Sequence, residues 1–162
     1  LKRLQSTTMD NNSRLLLFDL DTRIQTNFQL KEFLKFYEGQ LQPSHLVNIC
    51  RIAAVLQWIR DHIIHDKILI HSGIRTIAHN LEVGGSDTSD HLTASGVDFS
   101  WPFMRNKPVL YEQIKTQTPK EFTYFKYVLL YKGHLHISIR PINNLDLTSN
   151  DTNHQHQKRV NP

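Results

Sequence analysis

The longest regular pattern of apolar positions lies in the first half of the chain. From Pro43-Ser44 to about Ile63, apolar side chains recur at intervals of three and four residues. Six positions carry the pattern: Leu46, Ile49, Cys50, Ala53, Leu56 and Ile59. These intervals place the side chains on one face of an α-helix. The pattern therefore predicts a central helix that packs against a core.

A shorter amphipathic pattern precedes the central helix. Residues 27–34 begin with Asn27, a capping-type residue, and the apolar side chains of Phe28, Leu30, Phe33 and Leu34 follow it at helical spacing. Capping residues of this kind mark the starts of helices. We therefore predict a short helix over residues 27–34.

Apolar residues in the second half of the chain follow the patterns of β-strands. Segments 67–73, 97–101, 124–131 and 134–140 have this character, and Lys132-Gly133 separates the last two as in a hairpin. Residues 78–80 are expected in a short helix or a loop, and residues 83–86 in a turn. The pattern predicts an α+β fold with N-terminal helices packed on a small antiparallel sheet.

The ends of the chain are more polar than its middle. A length of 162 residues fits one domain. We expect a polar N-terminal extension over residues 1–25, a folded domain over 26–142 and a disordered tail over 143–162, where Asn, Asp, Thr and Gln dominate. No initial Met, basic segment or apolar segment of a signal peptide is present, so we expect none.

Composition excludes several classes of protein. With 39% hydrophobic and 9% aromatic residues, the chain has enough apolar surface for a core, so it is not disordered throughout. No apolar run approaches the roughly 20 residues of a membrane span. The single cysteine, Cys50, allows neither an internal disulfide nor a cysteine-rich zinc site. Any metal must therefore be bound by histidines and carboxylates.

The net charge of the chain excludes few classes of binding partner. The net charge of +4 favours anionic partners, among them nucleic acid, anionic lipid and anionic cell-wall polymer. Lysines and arginines are scattered, and no helix-turn-helix or RNA-binding signature is present, so no nucleic-acid partner is expected. Ten histidines are more than a chain of this length normally has, and they are more informative than the net charge.

Two of these histidines lie in the last predicted strand. His134 and His136 are two residues apart, so strand alternation places both imidazoles on one face, away from Leu135, Ile137 and Ile139. Their face can line a cleft. The alternative is a pair of ordinary surface histidines.

A second group of metal-ligand residues lies earlier in the chain. His91 and Asp98 are seven residues apart, so on a regular strand their side chains would face opposite ways. They converge only if the chain turns between them, and residues 93–96 can supply that turn. Together with one imidazole from the 134–136 strand, they give the three histidine and carboxylate ligands of a catalytic zinc site. Alternatively, Asp98 is a helix cap or a hydrogen-bond acceptor.

Several short motifs of this chain resemble the zinc D-Ala-D-Ala carboxypeptidase family in order and spacing. The resemblance covers roughly residues 26–140 and extends to the small phage-encoded and bacterial members. The motifs are Ser72-Gly73-Ile74-Arg75-Thr76, Asn80, Val83-Gly84-Gly85-Ser86, Ser89-x-His91, Gly96-Val97-Asp98 and His134-Leu135-His136-Ile137-Ser138. The family cuts the stem peptides of peptidoglycan, and the Hedgehog signalling domain has a similar zinc-site fold.

The resemblance implies a role for each of five residues. His91, Asp98 and His136 are the implied zinc ligands, with His136 preferred to His134 because the last ligand of the family precedes an apolar residue and a serine. Arg75 matches the arginine that faces the substrate carbonyl, and Ser89 matches a position that contacts the substrate. The alternatives are a structural Arg75 paired with a carboxylate, and a Ser89 that caps a helix or forms a turn.

One feature of the family is missing from the chain. Relatives have a Glu or Asp a few residues before the last ligand as the general base, whereas residues 129–135 contain no carboxylate, and the nearest acid on that side is Glu121. Either His134 acts as the base, since an imidazole suits proton transfer near neutral pH, or the site is weakened or silent.

The resemblance implies a zinc-dependent peptidase that acts on D-Ala-containing peptidoglycan peptides. The alternative is a catalytically silent relative that keeps zinc for stability and binds cell wall or protein. The expected site of action is the cell wall or periplasm, and the lack of an export signal favours a phage-encoded protein, either a virion part or a lysin. The bond that is cut and the oligomeric state stay open.

Overall fold

Two short antiparallel strand pairs precede the helices in the computed structural model, which describes residues 4–9 and 15–143. Strand β1 (Leu4–Met9) pairs with β2 (Leu15–Asp19), and β3 (Arg23–Gln25) pairs with β4 (Phe28–Gln29). Most of the extension predicted over residues 1–25 is therefore paired strand where it is described. The tail predicted over 143–162 lies outside the described residues from 144 onward.

The helix predicted over residues 27–34 is shorter than expected. Helix α1 spans Leu30–Phe33, and Phe28 and Gln29 belong to a strand instead. The backbone N–H groups of Leu30 and Lys31 donate to the carbonyls of Thr22 and Leu20. This pairing with the preceding segment holds the chain extended before α1, and a local pattern of apolar residues cannot reveal it.

The predicted central helix is confirmed as α2 (Pro43–Ile59), which continues into a π-helical turn at Arg60–Ile64. Proline at the first position has its φ angle already set for a helix. At the same end, the N–H of Gln42 donates to Nδ1 of His45 at 3.2 Å. Most of the predicted apolar face is buried, but Cys50 is exposed.

A four-stranded antiparallel sheet follows α2 within the described residues. Its strands are β5 (Leu69–Ser72), β6 (Gly96–Ser100), β7 (Phe125–Leu130) and β8 (Leu135–Ile139), in the spatial order β5-β6-β8-β7. The four strands predicted from the sequence are confirmed. The hairpin is confirmed too, since the N–H of Tyr131 donates to the carbonyl of His134 at 3.0 Å.

The two faces of the sheet have different surroundings. On one face, the fully buried side chains of Leu135, Ile137 and Ile139 join the apolar face of α2 in a single core. The opposite face of the sheet is polar. It carries His136 and Ser138 from β8, and Asp98 and Ser100 from β6. The alternation predicted for β8 therefore holds, and the polar face of the sheet lies away from α2.

Two further helices connect the strands of the sheet. Helix α3 (Ile77–Glu82) lies where the sequence predicted a short helix or a loop, and α4 (Lys107–Gln117) was not predicted. Only Ile114 of α4 is fully buried, so its sequence lacks a clear apolar stripe. None of the helices in the described part of the chain has the length and apolar character needed to cross a membrane. The fold is α+β as predicted, although α4 separates β6 from β7.

Candidate metal centre

A tight reversal of the chain brings His91 toward Asp98. His91 lies in a 3₁₀ turn over Asp90–Thr93, which ends at Ala94 in the left-handed conformation with φ of 57°. The N–H of Ser95 then donates to the carbonyl of Asp90 at 2.9 Å, and β6 begins at Gly96. The turn expected between His91 and Asp98 is thus present.

The register of β6 and β8 brings the second histidine to the same place. Asp98 lies directly opposite His136, and Oδ1 of Asp98 is 2.7 Å from Nδ1 of His136. On its other side, Oδ2 of Asp98 is 3.3 Å from Nε2 of His91. One ligand atom from each of the three residues lies within 4.8 Å of the others, so the group can hold a metal ion.

A hydrogen bond orients the ring of His91 for this purpose. Its Nδ1 lies 2.6 Å from the carbonyl oxygen of Gly73. A carbonyl can only accept, so Nδ1 carries the proton, and Nε2, on the side of Asp98, is the nitrogen left to bind a metal ion. Hydrogen bonds of this kind set the tautomer of metal-binding histidines. Two imidazole nitrogens and one carboxylate are a donor set of the catalytic zinc type, and the residues therefore fit zinc.

Asp98 is ionised in these surroundings. Burial raises the pKa of this carboxyl group, but hydrogen bonds and charges from His136 and His91 outweigh burial and hold the pKa well below its usual range. The carboxylate therefore retains its negative charge near neutral pH. An anionic oxygen between two nitrogen donors is available to a cation.

Arg75 lies against the same carboxylate. Its Nη2 donates to Oδ2 of Asp98 at 2.8 Å, and its Nε donates to Oγ of Ser72, also at 2.8 Å. The backbone N–H of Arg75 donates to the carbonyl of His91 at 3.0 Å. The ion pair with a carboxylate, given above as the structural alternative, is therefore present, and it fixes a positive charge beside the three candidate ligands.

Ser89 lies at the start of the turn that carries His91. Its side chain accepts a hydrogen bond from the N–H of His91 at 3.4 Å, as a capping residue does. The side chain is partly exposed. Its capping contact matches the structural alternative, and its contact with a substrate stays a prediction.

His134 lies at the edge of the candidate centre and outside the group of three. Its Nε2 is 3.8 Å from Oδ1 of Asp98, and 35% of its side chain is exposed. Tyr131 stacks on the imidazole, with ring centroids 4.8 Å apart. Burial lowers the pKa of His134, although the charge of Asp98 acts in the opposite direction. The ring is therefore accessible and directed toward the centre.

A supporting group lies beside His136 that was not predicted from the sequence. The hydroxyl of Tyr127 donates to the carboxylate of Asp90, and the ring of Tyr127 lies 6.1 Å from that of His136. Gly96 provides the space for His136, because a Cβ atom at Gly96 would lie 2.9 Å from Cε1 of the imidazole. Asp90 is next to His91 in the sequence, but its contact with Tyr127 depends on strand pairing.

A family model described as Peptidase M15 matches residues 26–138, which is more than half of the chain and includes every candidate residue above. Among curated proteins, none matches the chain significantly.

Proposed function

This chain belongs to the peptidase M15 family, and from that premise we propose that it is a zinc-dependent peptidase that hydrolyses D-Ala-containing stem peptides of peptidoglycan. One observation carries the proposal: His91, Asp98 and His136, from a turn and two paired strands, bring their ligand atoms within 4.8 Å of one another. If His134 and His136 were ordinary surface histidines, there would be no reason for His91 and Asp98 to lie next to His136.

In the proposed enzyme, His91, Asp98 and His136 would hold the metal. A zinc ion bound there would polarise the peptide carbonyl and make water a stronger nucleophile near neutral pH. His91 would bind the metal through Nε2, because its Nδ1 donates to the carbonyl of Gly73. The carbonyl of Gly73 orients the imidazole of His91 by a hydrogen bond, and the ring of Tyr127 lies beside the imidazole of His136.

Arg75 supplies a fixed positive charge to the reaction. Its guanidinium is held by Asp98 and Ser72, so it does not need to be ordered when a substrate arrives. A cation beside the reacting carbonyl stabilises the negative charge that develops on oxygen. Ser89, partly exposed next to His91, is proposed to contact the substrate at the rim of the site.

His134 is the proposed general base. A base in a peptidase must lie beside the attacking water and be accessible to it. Two observations support this role for His134: its Nε2 lies 3.8 Å from Oδ1 of the proposed ligand Asp98, and 35% of its side chain is exposed. The proton removed from water passes to this imidazole, which takes the place of the carboxylate found in relatives.

A second candidate function follows from that missing carboxylate. Residues 129–135 contain no Asp or Glu. A chain with the metal ligands and without a base would keep zinc as a structural element and bind peptidoglycan or a protein without cutting it. Both candidates place the protein at the cell wall or in the periplasm, and a phage-encoded virion protein or lysin would fit either.

Zinc content and peptide cleavage, measured on the same preparation, test the proposal. We expect one zinc per chain by elemental analysis, loss of zinc in His91→Ala, and cleavage of a synthetic stem pentapeptide detected by mass spectrometry. The product masses distinguish release of a terminal D-Ala from internal cleavage. His62→Ala, an exposed histidine stacked on Trp58, is the matched control and should keep its zinc.

Three results would count against the proposal. If wild-type protein lacks stoichiometric zinc, or if His91→Ala retains all of its zinc, the three residues do not form the proposed metal centre. Full zinc occupancy without any hydrolysis would make the silent binding protein the better interpretation.

A further inference from the structure

The polar face of the sheet carries a second row of side chains beside the metal ligands. Ser100 follows Asp98 by two residues on β6, so it lies on the same face about 7 Å farther along. Its Oγ lies 2.6 Å from Nε2 of His71 on β5. The same register of β6 and β8 that places Asp98 opposite His136 places His134 opposite Ser100, on the side of β6 away from β5. The row therefore consists of His71, Ser100 and His134.

An irregularity in β5 is what brings His71 into this row. Ile70 pairs with Phe99 and Ser72 pairs with Asp98, so His71 is an extra residue in the strand. Extra residues of this kind redirect side chains and are frequent next to active sites. In a regular strand, neighbouring side chains face opposite ways. Here His71 contacts Ser100 while Ser72 accepts from Arg75, so both side chains serve the polar face.

His71 differs from its partner in exposure. Ser100 is buried, whereas His71 is exposed, so the imidazole is held at Nε2 and its remaining edge is open to solvent. His71 and His134 lie on the two sides of Ser100, because β5 and β8 both pair with β6. An exposed and oriented imidazole thus lies across Ser100 from the proposed base and along β6 from the ligands.

We infer that His71 is a substrate-contacting residue, whose imidazole, oriented by Ser100, hydrogen-bonds the peptide on the side of the metal centre toward the end of β6. The inference rests on the proposed function, because it needs a peptide bound across the ligands. It concerns recognition of the substrate and leaves the proton transfers to His134. The distance of about 7 Å along β6 corresponds to two residues of an extended peptide.

A purely structural role for His71 makes a different prediction. If its imidazole only satisfies the buried hydroxyl of Ser100, then His71→Ala lowers stability and leaves peptide binding unchanged. If His71 contacts the peptide, His71→Ala weakens binding about three- to tenfold, as expected for the loss of one hydrogen bond to a neutral group. Zinc content should stay the same in both cases.

Steady-state kinetics of the zinc-loaded full chain with the stem pentapeptide test the inference. We expect KM to rise about three- to tenfold in His71→Ala and kcat to change less than twofold. His71→Asn places a polar group near the position of Nδ1 and should recover part of the affinity, while His71→Gln replaces Nε2 and should not. His62→Ala is again the matched control, since its imidazole is also exposed and hydrogen-bonded to a neighbour.

The outcomes separate this inference from the proposed function. An unchanged KM in His71→Ala, or a fall in kcat with KM unchanged, overturns the substrate contact. If wild type binds zinc and does not cleave the peptide, the proposed activity fails, and calorimetry then measures the Kd of the uncut peptide. In that case a weaker Kd in His71→Ala supports the contact, and an equal Kd or no binding by wild type overturns it.

Discussion

At the scale of single residues, His134 and His136 show how two identical side chains on one face obtain different environments. His136 lies in register with Asp98, 2.7 Å from its carboxylate, and only 8% of the residue is exposed. His134 lies at the end of the hairpin turn, 3.8 Å from the same carboxylate and stacked on Tyr131. The first position suits a ligand and the second suits a group that exchanges protons with water.

Replacing each histidine separately tests this division of roles. We expect His136→Ala to lose zinc, because one of three ligands is gone. His134→Ala should keep zinc and lower turnover by roughly 10²–10⁴-fold, the usual contribution of a general acid–base group. Zinc content and initial rates of pentapeptide cleavage are the measurements. Unchanged turnover in His134→Ala would show that the base lies elsewhere. If His134→Ala loses zinc and His136→Ala keeps it, then His134 is the ligand and His136 is not.

At the scale of elements, the contact between β5 and α1 has no space for a side chain. A Cβ atom on Gly73 would lie 2.2 Å from the carbonyl oxygen of Phe33, which also accepts the N–H of Ile74 at 3.1 Å. The carbonyl of Gly73 in turn accepts from His91. The close approach of the two backbones therefore fixes Gly73, whose carbonyl orients the ring of His91.

Gly73→Ala is expected to destabilise the protein. The backbone of α1 or β5 must move to admit the methyl group, which should lower the free energy of unfolding by about 2–4 kcal/mol. Urea denaturation measures this change. Gly133→Ala is the control, because a Cβ atom there meets no atom within 4 Å, and its effect should stay within about 0.5 kcal/mol. Equal effects of the two substitutions would refute the close contact.

The first turn of α2 should make stability depend on pH. Burial lowers the pKa of His45, whose Nδ1 accepts the N–H of Gln42. Since the unfolded chain then takes up the proton first as the pH falls, the stability present above about pH 6.5 is lost progressively below it. A positive charge at a helix N-terminus is also unfavourable.

Thermal unfolding at pH 7.5 and pH 5.5 measures the contribution of His45. We expect the melting temperature of wild type to fall more between these values than that of His45→Gln, because glutamine keeps a side-chain acceptor for the N–H of Gln42 and does not titrate. An identical fall in both proteins would assign the pH dependence to other groups.

At the scale of the whole molecule, Asn48 connects the central helix to two distant segments. It is completely buried, and its Nδ2 donates to the carbonyls of Thr93 and Ile142, at 3.0 and 3.2 Å. The N–H of Ile142 donates back to its Oδ1 at 2.9 Å. One side chain thus ties α2 to the turn that carries His91 and to the segment after β8.

Asn48→Leu should affect both stability and the metal centre. It leaves three backbone groups without their hydrogen-bond partner and removes the link between α2 and the turn that carries His91, so we expect the free energy of unfolding to fall by about 2–4 kcal/mol, with weaker binding of zinc. Chemical denaturation and zinc titration measure the two effects. Gln57→Ala removes a half-buried amide whose bond to Asn27 is exposed to solvent, and it should cost less than about 1 kcal/mol. A loss in Asn48→Leu no larger than that of Gln57→Ala would contradict this role.

The sequence by itself determined the features that depend on neighbouring residues. The three- and four-residue spacing of Ile49, Ala53 and Leu56 defined α2, and alternation in 134–140 defined the two faces of β8. The odd spacing of His91 and Asp98 already required a turn between them. Each of these follows from the geometry of a single helix, strand or turn, which local sequence encodes.

Only the tertiary structure decided the features that depend on pairing between distant segments. Register placed His136, and not His134, opposite Asp98, and the extra residue in β5 placed His71 beside Ser100. The burial of Asn48 and the formation of α4, which has little apolar periodicity, likewise depend on packing against other elements. Strand register and side-chain burial are set by contacts across the whole fold, and the local spacing of residues does not contain them.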